Sequence, residues 1–574
     1  MKEKLIILGA GVMQGPVINI AKELGFYAIA LDGSSSAPCV SLADQFEQID
    51  LKDKEGIEAF ARSIQGTTSR LGIMTAGTDF SANVAWAAEK LGLPGIPYES
   101  ALNASDKSRM RECFKKANLP SPDFITITAT DLPLPSLSPI PNPHSSFLIP
   151  HSSFLISHSS LLTSHFPLVI KPVDNMGSRG CRRIDSAEEL NEAAKTAIGF
   201  SRSGRAILEG YMEGPEFSVD AIVYHGEITI CGLADRHIFF PPYFIEMGHT
   251  MPTVIEEEKQ AAILDTFRAG IRALGLAGKE NIGAAKGDIK LTAKGPMIGE
   301  IAARLSGGYM SGWTYPYSSG ALPIKGAILA AMGRKPEGLT PVKKWTCAER
   351  AFISIPGTVK QIAGVEKAKA ANHVNDFFLR IAEPQPSLQG EGSPLKGSKV
   401  SFPENNVTKC GNIIASAGDR ETAMQAAETA ARSILIRLDP VDLETKSFLS
   451  STSVFPPDAF QLTDELKEAL SQIPDFPNPP SSLLTSHSSL LSPHLHPFPA
   501  FTSSGLKDYM GRSVEEALNA VRLLTGFPIP VTCENAENIV RLGRSFWSAF
   551  IRGSYQGAVY YIDNLGVESD SKSQ

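Results

Sequence analysis

Apolar residues recur along this chain with two different periods. The opening "KLIILGAG" is a short apolar run closed by glycine, which predicts a buried strand, and "MQGPVINIAKELG" carries the 3.6-residue spacing of a helix. "YAIALD" and "LGIMTAGTD" repeat the strand pattern, and the second leads into the helix "SANVAWAAEKLG". Strands alternating with helices in this way predict an α/β layer over the first hundred residues. "ASDKSRMRECFKKANLPSP" then predicts an amphipathic helix with Ser105 as N-cap, ending before Pro120 and Pro122. Farther on come the strand "PLVIKPV", the loop "DNMGSRG", and "RAILEGYMEGPEFSVDAIVYHGEITI", two alternating strands about Gly214-Pro215. Beyond residue 440, "LTDELKEALSQI", "SVEEALNAVRLLTG" and "AENIVRLGRSFWSAFIRG" are amphipathic helices with no assigned chemistry; docking or dimerisation is their default use.

Composition narrows the class. A chain of 574 residues has room for three or four domains of ~150 residues each, and 43% apolar content supports real cores. A net charge of −7 gives no bulk drive toward nucleic acid or an anionic membrane. Seven cysteines without a CxxC pair suit a reducing cytosol better than a disulfide framework. The first apolar run reads as a strand rather than a signal peptide, and no stretch reaches the ~20 apolar residues of a membrane helix. The expectation is a soluble, cytoplasmic protein without nucleic-acid or membrane partners.

Three segments carry candidate chemistry. Gly9, Gly11 and Gly15 at the first strand-to-helix turn, with Asp32 closing the second strand, form a loose dinucleotide fingerprint, spaced GxGxxxG rather than GxGxxG. Lys171 ends an apolar strand just ahead of a Gly/Ser loop, and a polyphosphate needs such a point charge beside a cradle of backbone donors. In "GAAKGDIKLTAKGPMIGEIAARLSGG" the turn signal "TAKGP" separates two strands. Asp288 and Glu300 are each six residues from Lys294, so a hairpin centred there sets them face to face. Two bare carboxylates so placed destabilise a sheet unless a hard cation lies between them, as Mg²⁺ does when it bridges carboxylates and substrate phosphates. The competing reading is a surface charge ladder balanced by Lys286, Lys290 and Arg304.

The order of these parts, with "DK", "IKP", "LEGYMEGPEFSVD", "GDIKLT" and "GEIAARLSGG", resembles the ATP-grasp superfamily. Within it the likeness is to ADP-forming carboxylate–amine ligases, near biotin carboxylase and the formate-dependent glycinamide ribonucleotide transformylase, over roughly residues 1–435. The resemblance implies a mixed α/β and α+β fold. Its parts would be a Rossmann-like domain over residues 1–100 and a two-lobed ATP-grasp domain over 101–335. A β-rich C-terminal lobe over 336–438 and a helical extension over 439–574 would follow. It implies that Lys107 and Lys171 contact the ATP phosphates beneath a loop of Met176, Gly177, Ser178, Arg179 and Gly180. Glu209, Gly210, Tyr211 and Met212 would form the hinge that reads the adenine edge through backbone groups, and Glu216 would hold the ribose. Asp288 and Glu300 would bind Mg²⁺ or Mn²⁺, while Arg304 would steady an acyl phosphate, with Lys171 beside it in catalysis. The family pattern E-x-N-x-R has Ala302 at its Asn position here, which weakens one of the two usual metal sites.

The implied partners are a small-molecule acid and an amine, with a homodimer served by the extension. Arg236, His237 and His249, in "ADRHIFFPPYFIEMGHTMPT", are the candidates to line the acid pocket, since Arg suits a carboxylate. "SGGYMSGWTYPYSSG" would be a substrate-facing loop. The alternatives are a nucleotide-binding pseudo-enzyme, which Ala302 favours, and an NAD-dependent oxidoreductase using the glycine turn and Asp32.

Low-complexity inserts punctuate this order. His144, His151, His158 and His165 fall seven apart within about 132–166, and "SSLLTSH" recurs letter for letter at 481–487. The first tract lacks coiled-coil charges and a preorganised ligand shell, so it is expected to be a disordered surface insert rather than a metal site. Further biased stretches occupy about 384–396 and 474–500.

Overall fold

The computed structural model describes residues 2–134, 166–381, 397–473, 505–527, 529 and 543–571. Residues 135–165 with the four histidines, and the whole of the two later biased stretches, lie outside the described residues. The chain divides into two units: one holds residues 1–349 and 414–424, the other 350–413 and 425–574.

The first unit opens with the expected parallel layer. Strands β1 (Lys4–Leu8), β2 (Tyr27–Asp32), β3 (Gln45–Gln48) and β4 (Leu71–Met74) lie in the order β3-β2-β1-β4. The continuous apolar run of β1 is explained by cover on both faces. Leu5 and Ile7 pack with Val17 and Ile18 of helix α1 (Gly15–Glu23). Ile6 and Leu8 pack with Ile57 of α2 (Lys54–Gln65) and Ala87 of α3 (Ser81–Leu91).

Helix α4 (Tyr98–Ser105) then turns directly into α5 (Lys107–Lys116). The N-cap of α5 is Asp106 rather than the expected Ser105. One Asp106 oxygen accepts from the Ser108 and Arg109 N–H groups, whereas the Ser105 hydroxyl donates back to Ala101 O and so belongs to α4. A carboxylate at a helix start satisfies orphan donors and complements the dipole.

Two antiparallel sheets follow. The smaller has the order β5-β8-β6-β7, from β5 (Phe124–Thr128), β6 (Leu168–Pro172), β7 (Arg182–Ile184) and β8 (Arg205–Gly210). Its apolar face is closed by α6 (Ala187–Phe200) through Leu190, Ala193, Ala194 and Ala197. The larger includes, in spatial order, β13 (Gly295–Ala302), β12 (Ile282–Thr292), β9 (Glu216–Tyr224), β10 (Glu227–Phe239) and β11 (Ile245–Met251). Strand β9 was expected to alternate and does not: its seven interior residues are all buried. It lies between β12 and β10 with Phe217, Val219, Ala221 and Val223 against Phe267 of α7 (Glu257–Ala273), while Ile222 packs from the other face with Ile324 and Ile328.

The second unit contains the antiparallel strands Lys399–Val400, Gly357–Ala363 and Leu435–Leu438, in that order. The helices Val514–Thr525 and Gly543–Ser571 gather Leu518, Val521, Phe546, Trp547 and Phe550 into one core with Leu435. Among the described residues no helix is long and apolar enough to cross a membrane.

Candidate functional site

The antiparallel register of β6 and β8 pairs Lys171 with Ile207 and Val169 with Glu209, so Lys171 and Glu209 are diagonal neighbours on one face. Lys171 Nζ lies 2.7 Å from Glu209 Oε2, and the other Glu209 oxygen accepts from Arg111 Nε at 2.8 Å. Burial alone would push the Glu209 carboxyl up, but Arg111 and Lys171 outweigh it and hold it below the usual range. Glu209, expected to act through its backbone, is therefore also a buried anchor for Lys171. The Gly210 and Tyr211 N–H groups donate to Asp123 O (3.1 Å) and Pro167 O (3.3 Å), so those two donors are engaged within the fold. The Tyr211 ring lies under Arg183 and Lys290.

Lys107, the first residue of α5, reaches the same place from the other side. Its ammonium donates to Asn175 O at 2.8 Å, where the Gly/Ser loop begins, and stands 3.7 Å from Glu300. The loop turns through positive φ at Gly177, Ser178 and Gly180. Ser178 is tied down by its hydroxyl on Phe244 O (2.9 Å), and Arg179 Nε donates to Met176 O (3.1 Å).

The hairpin of β12 and β13 forms as expected, with a correction to its register. Thr292 pairs with Gly295, so the turn is the two residues Ala293-Lys294, and an unbroken ladder would set Asp288 against Gly299. A bulge between Asp288 and Ile289 shifts the register by one and brings Glu300 opposite Asp288. The carboxylates are not bare. Asp288 receives Lys286, Arg236 (3.0 Å) and the Ser218 hydroxyl (3.0 Å). Burial would raise the Glu300 carboxyl, but Lys107, Lys286, Lys171 and Arg304 hold it at about 2. The expected repulsion is thus opposed by neighbouring cations, and the set is half-buried rather than an exposed ladder, with Asp288 13% and Glu300 29% exposed. The two hard carboxylates suit Mg²⁺, and the cations around them suit the phosphate oxygens that would share it. Among the described residues no set of three or more His, Cys, Asp or Glu side chains could hold a metal ion, so an ion here would rest on these two and on substrate oxygens.

The candidate acid-pocket residues part company. Arg236 does not offer a bare charge: Glu216, Glu246 (2.8 Å) and Asp288 all bind its guanidinium. It is a counter-ion of the carboxylate pair, and Glu216 is its partner, with Lys290 3.9 Å away. His237 Nε2 meets Thr250 Oγ1 at 2.9 Å. His249 is fully buried between Thr314 Oγ1 (2.6 Å) and Glu349 (3.3 Å). Arg304 is buried, with one terminal nitrogen on Leu305 O (3.1 Å) and an Nε that has no hydrogen-bond partner among the described residues. Ala76 of the first layer bridges to Leu305, which brings Arg304 beside that layer.

Sequence spacing missed Arg111 and Asp220. Arg111 stands four residues after Lys107 on one helix face, a signal the sequence contained. Asp220 is fully buried, and burial pushes its carboxyl up to about 6 against the N–H and hydroxyl of Ser306 (3.1 and 2.5 Å). The dinucleotide reading meets an obstacle. The Gln14 side chain fills the glycine turn: its Oε1 accepts from Gly11 N–H at 3.0 Å and lies 2.9 Å from where a Gly9 Cβ would stand. Asp32, expected at a ribose, accepts from Ala10 N–H (2.9 Å) and Ser34 N–H (2.9 Å).

Comparison with known proteins gives one family match: residues 164–312 fit the family described as ATP-grasp domain. Carnosine synthase 1 of Gallus gallus is 24% identical over 382 residues, covering 63% of this chain and 37% of that protein. A D-alanine–D-alanine ligase of Marinobacter nauticus is 27% identical over 237 residues, 39% of this chain and 64% of the ligase. The chain therefore spans less than two thirds of the length of either relative. Among solved structures, the L-amino acid ligase from Bacillus licheniformis shares the fold with a TM-score of 0.59 at 21% identity, over 76% of this chain and 99% of that one.

Proposed function

We propose that this chain, which carries an ATP-grasp domain, is an ATP-dependent ligase that joins a small carboxylic acid to an amine and releases ADP and phosphate. The single observation that carries the reading is the opposed pair Asp288 and Glu300 set among cations, with Lys107 3.7 Å from Glu300 and with Lys286 and Arg236 on Asp288. Phosphoryl transfer needs positioning and charge neutralisation more than covalent chemistry from the protein.

In this proposal Lys107 and Lys171 neutralise the phosphates, and residues 176–180 cover them and keep water from the acyl phosphate. The adenine is read beside Tyr211, through Met212 and backbone carbonyls, since the Gly210 and Tyr211 donors are engaged. Glu216 shapes the nucleotide end through Arg236 rather than as a free ribose ligand. Asp288 and Glu300 would hold Mg²⁺, which would supply positive charge to the terminal phosphate oxygens. A carboxylate oxygen of the acid attacks the γ-phosphorus, giving an acyl phosphate and ADP, and the amine then displaces phosphate. The orphaned Nε of buried Arg304 is the donor for the developing anion. His249, packed between Thr314 and Glu349, borders the acid site.

The parallel layer over residues 1–100 and the sheets over 101–335 supply the residues that meet ATP and the metal in this reading, Glu349 backs His249, and the whole is a soluble enzyme of a reducing compartment. The test is phosphate and ADP release on adding pairs of amino acids. Release that requires one acid and one amine together supports the ligase. ATP binding with no release under any pair assigns the chain to nucleotide binding alone.

A further inference from the structure

We infer that Arg111 is the positioning residue that couples the nucleotide side of the site to its metal side, an inference that rests on the reading of Lys171, Asp288 and Glu300 above. Arg111 is 1% exposed and lies on the same face of α5 as Lys107. Its Nε donates to Glu209 Oε1 at 2.8 Å, and one terminal nitrogen donates to Gly299 O at 2.6 Å. The first contact fixes the carboxylate whose other oxygen takes Lys171 at 2.7 Å. The second holds the carbonyl one residue before Glu300, on the strand facing the bulge that brings Glu300 opposite Asp288. One rigid group thereby sets both the lysine that meets phosphate and the register that pairs the carboxylates.

The residue type matters. A guanidinium presents diverging donors in a fixed plane, so it holds two acceptors on separate strands at a set separation; a lysine ammonium is a point charge without that span. Lysine at 111 should therefore keep the charge beside Glu209 and lose the hold on Gly299. A plain structural strut would instead lower stability and change every binding constant alike.

The experiment uses the full chain and calorimetric titration with ATP, once with a chelator and once with excess Mg²⁺. Arg111→Lys should bind ATP with chelator within about threefold of wild type, while losing about tenfold of the affinity that Mg²⁺ adds. Arg111→Met combined with Glu209→Gln removes both buried charges and both contacts together, so it should lose about tenfold with chelator and about a hundredfold with Mg²⁺. An Arg111→Lys variant that keeps the wild-type Mg²⁺ increment overturns the inference. So does an Arg111→Lys variant that loses both affinities in equal proportion, or loss of cooperative unfolding in both variants, because each makes Arg111 a strut only. If wild type itself fails to bind ATP, or gains nothing from Mg²⁺, the proposed function fails first and does so without any variant.

Discussion

Asp288 and Glu300 face each other across the β12–β13 hairpin because a bulge beside Asp288 moves the ladder by one residue. Without it Asp288 would meet Gly299; with it, a Cβ at Gly299 would stand 3.0 Å from the Asp288 carbonyl oxygen, which favours glycine beside the bulge. The pair is thus built by a local irregularity, of the kind that re-aims side chains next to functional sites. Its electrostatics come from elsewhere: Lys107 from a helix start, Arg236 from β10 and Lys286 from β12 itself.

Lys171→Ala removes one cation from the phosphates. Nucleotide affinity should fall by ~1.5–3 kcal/mol, the scale of hydrogen bonds to charged groups. The fold should survive, since Glu209 keeps Arg111 as its buried partner. Calorimetric titration with ATP measures the first statement and urea unfolding the second. Unchanged affinity would reject the role of Lys171.

Acid should weaken the fold through Glu300. Its folded value of about 2 lies below the ordinary 4.5, so its stabilisation is fully present above about pH 4.5 and is lost as pH falls toward 2. That gap corresponds to roughly 3 kcal/mol at neutral pH. Glu300→Gln should therefore be less stable than wild type at pH 7 and should show a flatter stability profile between pH 4.5 and 2. Urea midpoints across that range check it. A variant more stable than wild type at neutral pH would mean that carboxylate repulsion prevails over the lysines.

ATP should raise the melting temperature, and NAD should not. Gln14 occupies the glycine turn and Asp32 is engaged by the Ala10 and Ser34 N–H groups, so a pyrophosphate finds no open cradle there. Saturating ligand stabilises by mass action on its dissociation constant, so thermal shifts with each nucleotide at equal concentration decide the point. A shift with NAD that Gln14→Glu abolishes would restore the oxidoreductase reading.

Much of the fold was legible because its signals are local. The apolar run of β1, the proline stop after α5 and the turn "TAKGP" each act within a few residues. Register was harder. Counting from Lys294 gave the right partners for a wrong reason, since the two-residue turn needs a bulge to reach them, and Gly299 within a strand was its only sequence trace. The alternation expected of β9 failed because sheet position, not sequence, determines whether a strand is covered on both faces. Counter-charges were not legible at all. Arg236 and Asp288 are 52 positions apart along the chain and meet only after β10 and β12 flank β9.

We propose that Asp288 and Glu300 hold a metal shared with ATP. Melting curves of wild type and Glu300→Gln in four conditions (apo, Mg²⁺, ATP with chelator, Mg·ATP) test it most directly, because the stability each ligand adds follows its dissociation constant. Wild type should gain clearly more from Mg·ATP than from ATP with chelator, and Glu300→Gln should lose most of that difference while keeping the shift due to ATP alone. Equal Mg²⁺-dependent shifts in the two proteins would contradict the account.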